Sequence, residues 1–327
     1  ILTRLVGSEM CIRDRNKPHI IYIAIVKAFQ FNTTPGIRFG SDYSVSTAEE
    51  VSKKLGNKIL FVTDPGLVKI GLHEKTITEL QKYSEILIFD NVEADPSIKT
   101  LMSCVQQGRD FDATGVIGFG GGSSMDVSKL TALLIGSDEN IHEAWGVANA
   151  KGPRLPLALY PTTSGTGSEV TPISIITQED LEKKGVSSPI ILPDLAILDP
   201  LLTIGLPPHI TAATGIDAMV HAIESYASKS VNNNLISQTL AKEALKLLGS
   251  SIRQAVINGK DIEARSNMLV GSMLAGVSFG NSPVAGVHAL AYPIGGTYHV
   301  PHGLSNALVL PYVLRFNISD QNASKLY

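Results

Sequence analysis

Five short apolar runs restrict the fold of this chain more than any other feature. KILFVTD (58–64), SEILIFD (84–90), GVIGFGGG (115–122), RLPLALYPTT (154–163) and LPDLAILDP (192–200) are apolar almost without a break. A strand with one wet face alternates apolar and polar residues, whereas a strand covered on both faces has no need to. Helical patterns separate the runs. EKTITELQKY is one, PSIKTLMSCVQQG starts with proline at a helix N-terminus and stops on Gly108, and SSMDVSKLTALLIG (123–136) is a third. Upstream, FQFNTTPGIRFG predicts two short strands, and Ser46 with Glu49 forms a capping box opening a helix that Gly56 ends. The expected class is α/β: a Rossmann-like parallel sheet with helices on both faces.

After LTIGLPP the grammar changes. From 207 to 327 only helical patterns occur, the clearest being LISQTLAKEALKLLGSSIRQAVING (235–259), with apolar residues at a spacing of three to four. At 327 residues the chain suits roughly two domains. The expected division is an α/β domain over 16–205 and an all-helical domain over 206–327. ILTRLVGSEMCIRDR (1–15) has neither period, resembles translated sequencing-adapter read-through and is read as a non-native leader. NASKLY at the end reads as the start of a helix, so the helical domain is expected to be truncated.

Composition removes several classes of function. An apolar fraction of 44% with 17% charged residues describes a globular core. A net charge of −3 gives no electrostatic case for nucleic acid or an anionic membrane surface. Cys11 and Cys104 cannot build a disulfide framework, which fits a reducing compartment. The longest apolar run, HIIYIAIVKAF (19–29), is short of the ~20 residues a span needs and has no small-residue cleavage site. A soluble, cytoplasmic protein is expected.

Three stretches suit a dinucleotide. Gly120, Gly121 and Gly122 join a strand to a helix opening with Ser123 and Ser124, which leaves backbone N–H groups bare at the positive helix end. Serine at 123 departs from GxGxxG, and the stretch is no Walker A loop, so a plain tight turn remains open. YPTTSGTGSEVT (160–171) offers Thr162, Thr163 and Thr166 as donors to phosphate or ribose oxygens, or is a polar loop. Asp64 ends its strand where open α/β sheets bind ligands, and is otherwise a helix cap. A carboxylate there accepts from both ribose hydroxyls and repels a 2′-phosphate. Together the three favour NAD over NADP.

Two later stretches suit a metal. In TGIDAMVHAIESY (214–226), Asp217 and His221 are four apart and share one helix face. Such a pair is more often structural than ligating. GVHALAYPIGGTYHVPHG (286–303) adds His288, His299 and His302, and its GG, YP and VP pairs allow the chain to bend back over that face. One carboxylate with three neutral imidazoles suits Fe(II) or Zn(II) better than calcium or magnesium.

The stretches GGGSSMDVSK, PTTSGTGSEVT, LPPHITAATGIDAMVHAIESY and GVHALAYPIGGTYHVPHGLSNALVLPYVLRFN resemble, in order, the signatures of iron-containing (group III, metal-dependent) alcohol dehydrogenases. The resemblance runs from about Phe29 to the end. It implies an N-terminal dinucleotide-binding domain, a helical C-terminal domain, an active site in the cleft between them and a homodimer. It also implies that Asp217, His221, His288 and His302 are metal ligands, and that Gly121, Gly122 and Ser123 form the pyrophosphate loop. Asp64 matches the ribose acid, Thr162, Thr163 and Thr166 the threonine cluster, and Lys184 a lysine on the nicotinamide side. The implied reaction is Lewis-acid activation of an alcohol oxygen with hydride transfer to nicotinamide. Some members carry histidine where this chain has Tyr292, so a proton relay there is lost; Tyr292 either binds substrate or packs. His299 is the nearest remaining group for proton traffic, unless it too is structural. Few charges flank the metal motifs, so a small neutral alcohol or aldehyde is expected. Alternatives are a dehydroquinate-synthase-like or glycerol-dehydrogenase-like enzyme of the same fold, or a metal- and nucleotide-binding fragment without turnover.

Overall fold

Each of the five apolar runs forms a strand, and all five run the same way. The computed structural model describes residues 27–180, 182–298 and 300–319. The leader, Cys11, most of the run at 19–29, His299 and the final stretch from 320 lie outside the described residues. In chain order the first half contains β1 (Gly36–Phe39), α1 (Ala48–Leu55), β2 (Lys58–Val62), α2 (Pro65–Lys69), α3 (Glu74–Leu80), β3 (Glu85–Phe89), α4 (Ile98–Asp110), β4 (Gly115–Gly120) and α5 (Gly122–Ser137). There follow β5 (Gly146–Val147), β6 (Leu157–Pro161), β7 (Ile173–Thr177), β8 (Lys183–Ser187) and β9 (Leu195–Leu198). The main sheet has the order β1-β9-β6-β4-β2-β3 and is parallel throughout.

Alternate residues of each central strand feed two separate cores. On β2, Leu60 and Val62 join Val116, Leu130 and Leu159 on one face. Ile59 and Phe61 join Ile117, Phe119 and Tyr160 on the other. All of these are fully buried, which is why the runs show no period of two. The rings of Phe61, Phe119 and Tyr160 step across three neighbouring strands at centroid separations of 5.3 and 6.1 Å.

Several local expectations need correction. FQFNTTPGIRFG forms one strand, not two: residues 27–35 are irregular, and the N–H groups of Gln30 and Asn32 go to the side chains of Asn232 and Asn281. The capping box does not form. Ser46 belongs to a preceding helical turn, α1 starts at Ala48 behind Thr47, and Thr47 Oγ1 donates back to the Tyr43 carbonyl. Gly56 does end α1, in the left-handed region at φ 95°. Gly108 does not end α4. It lies against α5, where an added Cβ would come within 2.5 Å of Ile135, so it serves helix packing. A small mixed sheet, β5-β8-β7 with β7 and β8 antiparallel, was not expected. Its strand KKGVS is polar and short, and only pairing with ISIIT makes it a strand.

The second half is helical: α6 (Pro208–Ala227), α7 (Leu235–Ile257), α8 (Ile262–Asn281), α9 (Gly286–Tyr298) and α10 (His302–Ile318). An apolar cluster of Ala218, Ala222, Ala244, Leu248 and Met268 joins α6, α7 and α8. The two halves touch through glycine. Gly167, in the loop after β6 with φ 59°, lies so close to Gly276 of α8 that a Cβ would come within 2.5 Å of its Cα. Gly165 likewise abuts Thr214 of α6, where a Cβ would approach to 2.7 Å.

Candidate active site and metal centre

The sheet places one end of a cleft. After β2 the chain crosses to β3 on one side, and β4 then enters on the other, so the order reverses between β2 and β4. Ligands bind outside the carboxyl ends of strands at such a reversal. Asp64, two residues beyond β2, and the glycines ending β4 meet there. An added Cβ on Gly120 would lie 3.5 Å from Asp64 Oδ2. Asp64 does cap a helix, accepting from Leu67 N at 3.0 Å through Oδ1. Its second oxygen stays over the glycine turn, so the cap and ligand readings of this residue coexist.

Helix α5 starts directly from that turn, and no side chain caps it. The N–H groups of its first turn, from Gly122 and Ser123, point at the reversal with the positive helix end behind them. Thr163 packs beside Gly121, and Thr166 beside Gly122. Thr162 is buried, and its N–H bonds the Gly120 carbonyl at 2.9 Å, so it ties the two loops together. Gly122, Ser123 and Thr166 line one end of a cleft of about 270 Å³. Lys184 does not reach it. Its ammonium lies 3.5 Å from Glu182, and it lines a separate pocket with His142 and Asp180. Alternation along β8 sends Lys183 into the cleft instead, where it pairs with Asp95 at 2.6 Å.

Three helices build the far end. Asp217 and His221 share the inner face of α6, His288 stands on the first turn of α9, and His302 opens α10. Gly303 permits this, because any Cβ there would collide with the Ala213 carbonyl of α6. One ligand atom from each of Asp217, His221, His288 and His302 lies within 4.8 Å of every other. The rings of His221 and His288 stack at 4.6 Å, and Phe279 stacks on His221 at 4.2 Å. Asp217 is 4% exposed and His302 35%, so the group opens to the cleft on the His302 side.

The electrostatics suit a cation. Burial pushes His221 down to about 4, which leaves it neutral, and burial also lowers His302. Burial alone would raise Asp217. The imidazoles of His221, His302 and His288 and the Asn306 amide outweigh it and hold the carboxyl below its ordinary value. The ring nitrogens are presented deliberately. His221 Nδ1 faces the Gly165 carbonyl at 3.3 Å, and His288 Nδ1 faces Glu224 at 2.7 Å, which turns each Nε2 inward. A buried set of one carboxylate and three imidazoles fits Fe(II) or Zn(II).

Sequence reasoning passed over several residues. Glu224 is one more turn along the face of Asp217 and His221, and Asn306 is four residues after His302, so helical spacing marked both. Tyr292, which the sequence left between binding substrate and packing, lines the cleft with its ring 5.8 Å from that of His302. Asp126 lines it too, accepting from Ser168 Oγ at 2.7 Å and Ile175 N at 2.9 Å. Lys129, pushed down to about 8 by burial, lies 3.8 Å from Asp126.

Comparison with known proteins matches the chain to a family and to individual relatives. The family profile described as iron-containing alcohol dehydrogenase matches residues 34–200, and that of the Fe-containing alcohol dehydrogenase C-terminal region matches 211–326. Long-chain-alcohol dehydrogenase 1 of Geobacillus thermodenitrificans is 46% identical over 81% of this chain and 67% of its own. Sulfoacetaldehyde reductase of Bilophila wadsworthia is 39% identical over 89% and 75%. Among solved structures, a 1,3-propanediol oxidoreductase superposes with a TM-score of 0.87 at 34% identity, covering 92% of this chain and 80% of that one. Sulfoacetaldehyde reductase of Bifidobacterium kashiwanohense in complex with NAD+ gives 0.83 at 30%, covering 90% and 78%.

Proposed function

The chain belongs to the iron-containing alcohol dehydrogenase family, and from that premise we propose how its own residues divide the work. It is a metal-dependent, NAD(H)-linked oxidoreductase that interconverts an alcohol and its aldehyde or ketone. In the proposal Asp217, His221, His288 and His302 hold the metal, Fe(II) or alternatively Zn(II). The N–H groups of Gly121, Gly122 and Ser123 hold the pyrophosphate, Thr163 and Thr166 wall it in, and Asp64 accepts from the ribose hydroxyls. The division between the α/β and helical domains is placed at 205/206.

When bound, the metal supplies Lewis acidity toward the substrate oxygen, and NAD supplies the hydride acceptor. The protein sets the geometry and the dielectric. Glu224 and the Gly165 carbonyl fix two imidazoles so that their free nitrogens converge. Phe279 and Val284 wall the metal end and exclude water. Tyr292, beside His302 at the open side, contacts substrate rather than packing away from it. Lys183 is the one lysine or arginine among the described residues that lines the cleft, and it is paired with Asp95. Among those residues no unpaired cation is left over for a substrate phosphate or carboxylate, which supports a small neutral alcohol or aldehyde. A cytoplasmic homodimer completes the proposal, and the buried, unpaired thiol of Cys104 supports a reducing compartment. Among the described residues no single helix is long and apolar enough to cross a membrane.

The observation carrying this reading is the convergence of four donors from three helices in the cleft that starts at the N-terminus of α5. Protein purified anaerobically and loaded with Fe(II) should reduce NAD with small neutral alcohols. Protein that retains metal and binds NADH, yet oxidises no alcohol in a broad panel and reduces no aldehyde, would sink the reading.

A further inference from the structure

The amide of Asn306 lies deeper in the metal centre than its place in the sequence suggests. It sits on the second turn of α10 and is fully buried. Its Nδ2 donates to Asp217 Oδ1 at 2.6 Å, and stands 3.3 Å from His288 Nε2 and 3.2 Å from His302 Nε2. Its Oδ1 is buried with no hydrogen-bond partner. A buried, unpaired amide oxygen costs about 1–3 kcal/mol, so a residue kept only for packing would be better as leucine. The N–H side of the amide is what the site uses.

The three contacts are not equivalent. A neutral imidazole nitrogen has one lone pair, and a ligated metal takes it. A carboxylate oxygen has two, so Asp217 Oδ1 can accept from Asn306 and face a cation together. The contact with Asp217 is also the shortest and is charge-assisted. Asp217 and Asn306 come from different helices, α6 and α10, so this bond locks the register of one against the other at the depth of the ligands.

We propose that Asn306 is a positioning residue for the metal centre, fixing the Asp217 carboxylate through Nδ2 while touching neither substrate nor cofactor. This rests on the four-ligand reading above. Outer partners of metal ligands are worth roughly 10–100-fold in affinity. Asn306→Leu keeps the volume and loses the donor; Asn306→Ala loses both. Chelator competition with Zn(II) should show both variants 10–100-fold weaker than the parent, and the visible spectrum of the Co(II)-loaded Leu variant should shift in position or intensity as the carboxylate turns. A packing role predicts instead that Leu restores parental affinity and spectrum while Ala alone lowers thermal stability, and that result would overturn the proposal. His288→Ala is measured alongside. If it too keeps parental affinity, the ligand assignment has failed; if it loses metal while Asn306→Leu does not, only the role of Asn306 has. Should the Ala variant not fold, the Leu variant decides by itself.

Discussion

At the sheet end of the cleft the groups aimed inward are backbone N–H groups of Gly122 and Ser123, whereas at the helical end they are side chains from α6, α9 and α10. The first set comes from consecutive residues whose positions follow from one turn. The second spans Asp217 to His302 and exists only where three helices meet. A backbone site is damaged by adding atoms, because its glycines are there for close approach. A side-chain site is damaged by removing them.

The contrast can be broken by experiment. The largest effect is expected from His288→Ala or His302→Ala, which should lose metal and drop kcat by about 10³-fold or more, since Lewis-acid assistance is worth several kcal/mol. NADH affinity should stay within about two-fold, the span expected if this end supplies no nucleotide contact. If nucleotide binding falls as far as turnover, the two ends are one unit and the contrast fails.

Acid should discriminate next. In metal-stripped protein His221 is buried neutral, with its pKa down at about 4 against an ordinary 6.5. Between those values the unfolded chain binds the proton and the folded one does not, so stability is full above 6.5 and falls as pH drops toward 4. The slope reaches about 1.4 kcal/mol per pH unit, a total of about 3 kcal/mol. Denaturant midpoints across pH 7 to 4 measure it, and His221→Phe should flatten the curve.

Gly122→Ala sharpens the other side. Its Cβ would come within 2.8 Å of Thr166 Cγ2 at the mouth of the backbone cradle. NADH should bind about 10-fold more weakly, or ~1.4 kcal/mol, with metal content unchanged. The smallest effect should come from Asp64→Ser. Serine still caps α2, so stability should change by less than about 1 kcal/mol, while NADH affinity falls several-fold, roughly the worth of one charge-assisted bond. A melting temperature that drops with no change in NADH affinity would leave Asp64 as a cap alone.

Much of the site was legible in linear spacing because helices convert spacing into shared faces. Asp217 and His221 needed only the helical period, and the same period held Glu224 and Asn306 for a reader who extended it by one turn. Lys184 shows the reverse. In a strand a shift of one residue turns a side chain to the opposite face, and nothing in KKGVS indicated which lysine would face the cleft until β7 fixed the register. The expected capping box failed for a related reason: Ser46 is taken up by the helical turn Tyr43–Ser46, so α1 starts at Ala48 behind Thr47, and only the folding of that preceding turn could decide it.

The order of apolar strands, the glycine turn before α5 and the donor types for a metal were set by the amino-acid sequence alone, since each is a property of a short stretch and its period. Tertiary structure decided which donors meet. The closeness of His302 to Asp217 depends on Gly303 lying against Ala213, and the aim of His288 depends on Glu224 from another helix. Convergence of that kind is set by packing between segments far apart in the chain, where close contact leaves each side chain one place to go.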